Sequence, residues 1–552
     1  VLASAGKLIL EPYHAASMEL DRDLRQSRGL SRGRPEHLPR IDALATLVHD
    51  TLEGLAAMCW RHPPPRSDSP RGNSVDLPNT TTVSFESWSR GPTLTHEAAA
   101  SREFGRATDR SNDGRVMRFR RFICSLASFT AAIGLVTANQ EWPQWRGPLN
   151  TGMAVGDAPL TWSDNSNIAW KLAIPGRGHS TPVIAGNRLF LTTAIPTGKG
   201  TLMGGGRAGG GAGAGLEHRF EVLAVDRRTG QLLWQRTATT ATPHEGYHRV
   251  YGSFASNSPV TDGVRVFAFF GSRGLYAYDL SGTLLWQKDF GVKMRMDLAF
   301  GEGTPLTLHD NRLLLHFDHL DTGFLVMLDP VTGQETWRVA RTERYNWAAP
   351  YVATHGGRRQ VVVSGETVRG YDFETGAELW EASGLGENSI PQPVQHGRLV
   401  YAMSGHTIKM LMAIAIESRG TLTGTDAIVW STARGAAYTP SPLLHEGRLY
   451  VVNDSGQLSC FDALTGKPHY QQVRLPKPYN FKASPVGAGG KLYLATEEGD
   501  VVVARTGSRF EVLATNTLED QSFIASPVIV DGDIYLRSRT HLFKVSESST
   551  RR

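Results

Sequence analysis

An all-β ring is the fold the sequence predicts: an eight-bladed β-propeller of four-stranded antiparallel blades, closed by an N-terminal strand. Three observations predict it. A short strand built on a small residue, Pro and an apolar residue recurs eight times from residue 180 onward. A hairpin spelled Ala-x-Asp-x-x-Thr-Gly-x-x-x-Trp follows it in several of the repeats. The 552 residues include 58 Gly, 29 Pro and 12 Trp, a turn-rich composition foreign to a helical bundle.

The Pro-strands run Ser180-Thr181-Pro182-Val183, Ser258-Pro259-Val260, Thr304-Pro305-Leu306, Ala349-Pro350-Tyr351, Gln392-Pro393-Val394, Ser441-Pro442-Leu443, Ser484-Pro485-Val486 and Ser526-Pro527-Val528. After a first step of 77 residues, the Pro-to-Pro spacing stays between 42 and 49. A turn and an alternating strand such as Arg448–Val452 come next, which is the period-2 pattern of a half-buried strand. The hairpin of Ala224–Trp234 returns as Met327–Trp337 and Gly370–Trp380, one residue shorter as Ala277–Trp286, and with a Tyr ending as Cys460–Tyr470.

Each hairpin position has a physical task. Asp226, Asp279, Asp329 and Asp372 accept backbone N–H groups across the turn, and Gly230 supplies the positive φ that a tight hairpin needs. Trp234, Trp286, Trp337 and Trp380 each offer roughly 150–250 Å² of side chain, which a lone four-stranded sheet has nothing to cover. A neighbouring sheet covers it, and so the units stack radially. The last unit lacks a fourth strand, having only segments near Ile529, Ile534–Arg537 and Leu542–Val545. Asn167–Leu172, carrying Trp170, stands before the first Pro-strand with no hairpin of its own. It is expected to complete blade eight and leave no open edge.

Residues 1–116 share no pattern with the repeats, and their 15 Lys+Arg balance 15 Asp+Glu. They are expected to be a non-domain extension, either disordered or translated from upstream of the true start. Met117-Arg118-Phe119-Arg120-Arg121, the apolar run Phe122–Val136 and the small residues ending at Ala138 have the order of a secretory signal over 117–138. The propeller is assigned to 139–546, with a periplasmic or secreted location and no membrane span after signal removal. From 139 onward only Cys460 remains, so no internal disulfide is expected. The net charge of +5 gives no sign of a nucleic-acid partner, because 40 Lys+Arg face 38 Asp+Glu from 139 onward.

Motifs that suggest chemistry are weak. His244-Glu245-Gly246-Tyr247-His248 has zinc-hydrolase spacing, but Pro243, Gly246 and the flanking strands argue against the helix that such a site needs. His316 and Asp318 would share a strand face, conceivably with Glu302 or Asp297, yet the run reads as a polar hairpin tip. No metal site and no catalytic residue are nominated. The Gly- and Ala-rich stretch Gly204–Gly215 reads as a flexible loop. Residues just before each Pro-strand should ring one mouth of the central channel, where the long insertions 198–216 and 237–255 also open. The candidate ligand-binding residues are therefore His179, Asn257, Glu302, Asn346, Trp347, Asn388, Tyr438 and Lys482, with Phe523 at the equivalent place in blade eight.

The repeated hairpin resembles that of the pyrroloquinoline-quinone (PQQ) repeat family over about 142–546. Trp142-Pro143-Gln144-Trp145-Arg146-Gly147-Pro148 is similar to the opening of an exported bacterial group of PQQ-like propellers. One branch of the family implies a dehydrogenase with PQQ, calcium, an Asp base and an adjacent-cysteine disulfide, and this chain has no such cysteine pair. The other branch, similar to the outer-membrane β-barrel assembly factor B, implies a non-catalytic binding or scaffold protein of the cell envelope. The expectation is this second kind: a monomer with no cofactor and with an envelope protein or polysaccharide as partner. A PQQ-dependent dehydrogenase or a glycan-active propeller enzyme is the alternative.

Overall fold

The computed structural model describes residues 141–202, 210–296 and 300–547. The extension 1–116, the signal-like segment 117–138 and Asp297 lie outside the described residues. Eight four-stranded antiparallel units follow one another, and the first strands of blades one to three and of blades five to eight contact their neighbours' first strands, which places those strands innermost. Blade one comprises Val183–Ala185, Arg188–Gly200, Leu216–Asp226 and Leu232–Ala241. The inner strands of blades two to eight begin at Val260, Thr307, Tyr351, Val394, Leu443, Val486 and Val528. Blade eight consists of Val528–Val530, Asp533–Arg537 and His541–Val545, completed on its outside by Ile168–Ala173. Trp170 pairs with Lys544, and Leu172 with Leu542. The chain therefore closes its ring with an N-terminal strand, and among the described residues no helix is long and apolar enough to cross a membrane.

The hairpin residues do the work their chemistry suggested. The Asp226 carboxylate accepts the Arg228 and Thr229 amides at 3.0 and 2.8 Å, and Asp279, Asp329 and Asp372 repeat the arrangement. Each Trp then reaches over the next blade's turn. Trp170 Nε1 donates to the Arg227 carbonyl at 3.1 Å, Trp234 to Leu280, Trp286 to Pro330 and Trp337 to Phe373. The indole lies so close to the turn that a Cβ on Gly230 would stand 2.6 Å from the Trp170 ring. Trp430, which the repeat spelling did not single out, does the same over Gly466.

Trp380 departs from this pattern. Its ring is fully buried inside its own blade over Gly370, and its Nε1 donates to Gln360 Oε1 at 2.7 Å. Blade five has no Asp-x-x-Thr-Gly turn to receive it. Instead a longer connection folds back, and Gly420–Thr421 pairs in parallel with Trp380-Glu381 as a fifth strand of blade four.

A belt of side-chain hydrogen bonds joins the inner strands and explains the small hydroxyl residue before Pro. The Thr181 amide donates to Ser258 Oγ at 2.9 Å, Gln392 to Ser441, Ser441 to Ser484, Ser484 to Ser526, and Ser526 back to Thr181. Proline lacks an N–H, so the residue ahead of it supplies both the donor and the hydroxyl acceptor of the belt.

Candidate functional site

The near mouth, where the inner strands begin, opens into a cavity of about 300 Å³. Its floor comes from the segment ahead of the ring. Trp142 exchanges backbone hydrogen bonds with Ile184 at the downstream end of blade one's inner strand, at 3.1 and 2.8 Å. Pro143 accepts from Thr261 of blade two, Gln144 accepts from Leu308 of blade three, and Gly152 and Ala154 bracket Gly487 of blade seven. From this lacing Arg146 points into the ring and donates to the Pro485 and Pro442 carbonyls at 2.8 and 3.0 Å. Trp145 donates to Ser526 Oγ at 3.2 Å and lines the cavity. The channel is thus a cup with a laced floor.

The walls are largely aromatic. His248 stacks on Tyr251 with centroids 4.5 Å apart, and Phe300 lies between His248 and Trp347 at 5.5 and 6.2 Å. Across the cup the His406 ring faces Tyr438 at 5.1 Å. The Lys482 ammonium sits 4.5 Å from the Tyr251 centroid and is already paired, with Asp454 at 3.2 Å and Glu497 at 3.8 Å.

Of the residues expected at the mouth, His179, Glu302, Trp347, Tyr438 and Lys482 line this cavity. Asn257, Asn346, Asn388 and Phe523 do not; they are buried brackets between the inner strands. The Asn257 amide donates to the Thr304 carbonyl at 2.7 Å, and Asn388 to His406 Nδ1 at 3.0 Å. Asn346 donates to Asp318 at 3.1 Å and to the Ser364 carbonyl. The Phe523 amide donates to the Thr496 carbonyl at 3.0 Å. Glu302 has its carboxylate engaged: Ser272 donates through its amide and hydroxyl, and Arg273 completes a buried ion pair at 2.7 Å.

His179 is the most unusual group in the wall. Its Nδ1 is 2.8 Å from the Tyr251 carbonyl, so Nδ1 carries the hydrogen. Burial, reinforced by Arg177, Arg537 and Arg539, pushes its pKa down to about 3. Nε2 of this neutral ring is buried and has no partner.

Sequence reasoning missed Trp145, His248, Tyr251 and His406 in the wall. His248 and Tyr251 belong to the insertion between blades one and two, which was expected at this mouth as a loop but not by residue. Its Tyr247–His248 pairs with Gly210–Ala212, so the Gly-rich stretch contributes a short strand where only a flexible loop was expected.

Two other motifs resolve differently from their spacing. In the His-Glu-x-x-His run, His244 Nε2 meets the Met294 carbonyl at 2.8 Å, Glu245 accepts the Met296 amide, and His248 is in a strand, so the two histidines are not one helical turn apart. The run at His316 is not a polar hairpin tip. Asp318 is buried and takes a bidentate pair from Arg341 at 2.8 and 2.9 Å, while His316 Nε2 meets the Ala348 carbonyl. Arg341 also donates to Tyr371, so the cluster ties blade three to blade four. Among the described residues, no three His, Cys, Asp or Glu are grouped to hold a metal ion.

The family model described as outer membrane protein assembly factor BamB matches residues 199–291, 272–418 and 413–551. No curated protein matches by sequence. Among solved structures, BamB from Moraxella catarrhalis is similar at 14% identity and TM-score 0.42, over 66% of this chain and 98% of that one. The quinohemoprotein alcohol dehydrogenase from Comamonas testosteroni is similar at 11% identity and TM-score 0.49, over 75% and 81%. The computationally designed Ika8 protein is similar at 11% identity and TM-score 0.45, over 70% and 99%. Three matched segments that together run from the second strand of blade one to the end of blade eight make this chain a member of the BamB family of PQQ-repeat propellers.

Proposed function

We propose that this chain is an exported, non-catalytic binding propeller of the cell envelope that receives a protein or polysaccharide partner in the aromatic cup. One observation carries the reading: the cup is a preformed aromatic recess whose charged side chains are already committed to one another. Glu302 is held by Arg273 and Ser272, and Lys482 by Asp454 and Glu497. No lining nucleophile is hydrogen-bonded to a general base, the arrangement that covalent catalysis needs. Cys460 lies buried in blade six with its thiol pKa pushed up to about 12 by desolvation, a structural cysteine and not a reactive one.

A calcium–quinone centre does not fit these residues. Calcium takes six to eight oxygen ligands, usually with several carboxylates among them, and among the described residues the only carboxylate lining the cup is bound to an arginine. The signal-like order of Met117–Ala138 and the family's outer-membrane description support a periplasmic or secreted setting. The partner arm of the test is capture from envelope extracts by the full chain and by a Tyr251→Ala, His406→Ala double variant. Both side chains are at least partly exposed, so the double variant should lose capture and keep its melting temperature within about 2 °C. The catalytic arm is incubation with PQQ and calcium followed by a dye-linked alcohol oxidation assay. A rate above background there, or capture undiminished in the double variant, would refute the proposal.

A further inference from the structure

The hydrogen-bonding inventory of the cup narrows its ligand, on the reading that the cup is the binding site. His179 Nε2 is a buried acceptor with a bare lone pair, because its Nδ1–H is donated to Tyr251. Directly behind the wall Asn257 Oδ1 and Asn388 Oδ1 also lack partners, their amide hydrogens being used on Thr304 and His406. The Asn388 donation to His406 Nδ1 puts the hydrogen of that ring on Nε2, which gives the cup one donor at its rim. Among the described residues that line the cup, the one unmet buried group is therefore an acceptor, His179 Nε2.

A buried acceptor left without a donor costs about 1–3 kcal/mol, so a ligand that fills the cup must bring hydrogen-bond donors. A carboxylate, phosphate or sulfate brings only acceptors. Among the described residues lining the cup the only lysine or arginine, Lys482, is already paired with two carboxylates, and Arg177 and Arg537 near His179 are spent on backbone carbonyls. A phenylalanine side chain would fill the space and leave His179 unsatisfied. A neutral sugar meets both demands: its hydroxyls donate, and the apolar C–H face of the ring packs on aromatic planes such as Tyr251, Trp347 and Trp145. Because the floor is laced shut, a chain cannot thread through, and a cavity of about 300 Å³ takes an end of a chain and not its middle.

We propose that the cup is a subsite for the terminal neutral sugar of a glycan, stacked on the aromatic wall with one hydroxyl donating to His179 Nε2.

The test is an array of neutral, uronic-acid and sulfated oligosaccharides probed with the full chain, followed by calorimetric titration of the strongest neutral hit. His179→Asn keeps a side-chain amide within reach of the Tyr251 carbonyl and removes the Nε2 acceptor. It should weaken binding about tenfold or more with an unchanged melting temperature, and Tyr251→Ala should weaken it comparably. Wild-type affinity should stay flat from pH 8 to pH 4.5, since the acceptor stays neutral over that range. Absence of any neutral hit, preference for acidic glycans, full affinity in His179→Asn, or binding of the tripeptide Gly-Gly-Phe in place of sugar would overturn the proposal. If envelope capture still depends on Tyr251 and His406 in those cases, the cup reading stands and only the sugar assignment falls. If capture also ignores them, both fall.

Discussion

Two fully buried histidines contribute to how this protein responds to acid. His179 and His316 are buried and neutral, each with its pKa lowered chiefly by desolvation, to about 3 in the case of His179. In the unfolded chain both return to about 6.5. Between these values the unfolded state binds more protons than the native state, so stability falls as pH falls. At pH 5.5 His179 should cost about 1.4 kcal/mol relative to high pH, and His316 adds to the loss in the same direction. Asp318 adds the opposite kind of group: its pKa is depressed through Arg341 despite burial, so its contribution disappears only as pH drops below the ordinary aspartate value. Urea midpoints should therefore fall from pH 7.5 to pH 4.5, ahead of any carboxylate titration. Replacing His179 with Asn should flatten that fall, and an unchanged slope would show that other groups control it.

At the scale of the element, the unit that matters is the clasp between a Trp and the next blade's turn. Trp170 performs it at the seam, donating to Arg227 and covering Gly230, while its own strand pairs with the third strand of blade eight. Trp170→Ala should cost about 3 kcal/mol in chemical denaturation, comparable with Trp337→Ala, because each removes one indole plate and one carbonyl bond. A loss below about 1 kcal/mol would mean the seam is held by the strand pairing alone. The clasp was legible in the sequence because Asp, Gly and Trp recur at fixed offsets, each with a separate physical task. The exception at Trp380 was not legible, since its cause is a connection of blade five that carries no repeat spelling. The cup was legible in half. His179, Glu302, Trp347, Tyr438 and Lys482 precede the Pro-strands, so the period alone points to them. Trp145, Tyr251 and His406 come from a floor segment, an insertion and a hairpin, and only folding brings them to the same space. The same limit applied to His316 and Asp318, whose spacing resembles that of a ligand pair while Arg341, 23 residues on from Asp318, makes them part of a brace.

For the molecule as a whole, one charged side chain stands at the crossing of several blades. Arg146 is buried without a carboxylate, its pKa drawn down to about 9, and its guanidinium bridges carbonyls of blades six and seven and its own turn at Thr151. Arg146→Met should lower stability by about 2–4 kcal/mol because the carbonyls lose their donor, partly offset by relief of a desolvated charge. Lysine should not restore it, because an ammonium lacks the planar fork that spans two carbonyls. Urea unfolding of both variants checks this, and a lysine variant as stable as the native protein would contradict it.

The floor segment also sets the order in which the molecule can be completed. Trp145 bonds to a residue 381 positions downstream and Arg146 to one 339 positions downstream. During synthesis these residues emerge before any of their partners, and the partners belong to blades six to eight. Loop closure over such separations is slow, so Trp145 and Arg146 must wait until the last blades have formed, while Trp142, Pro143 and Gln144 can engage blades one to three as these appear. The last locking of the floor therefore follows synthesis of the final blades, and any factor that holds Trp145 and Arg146 has the whole of that synthesis in which to act.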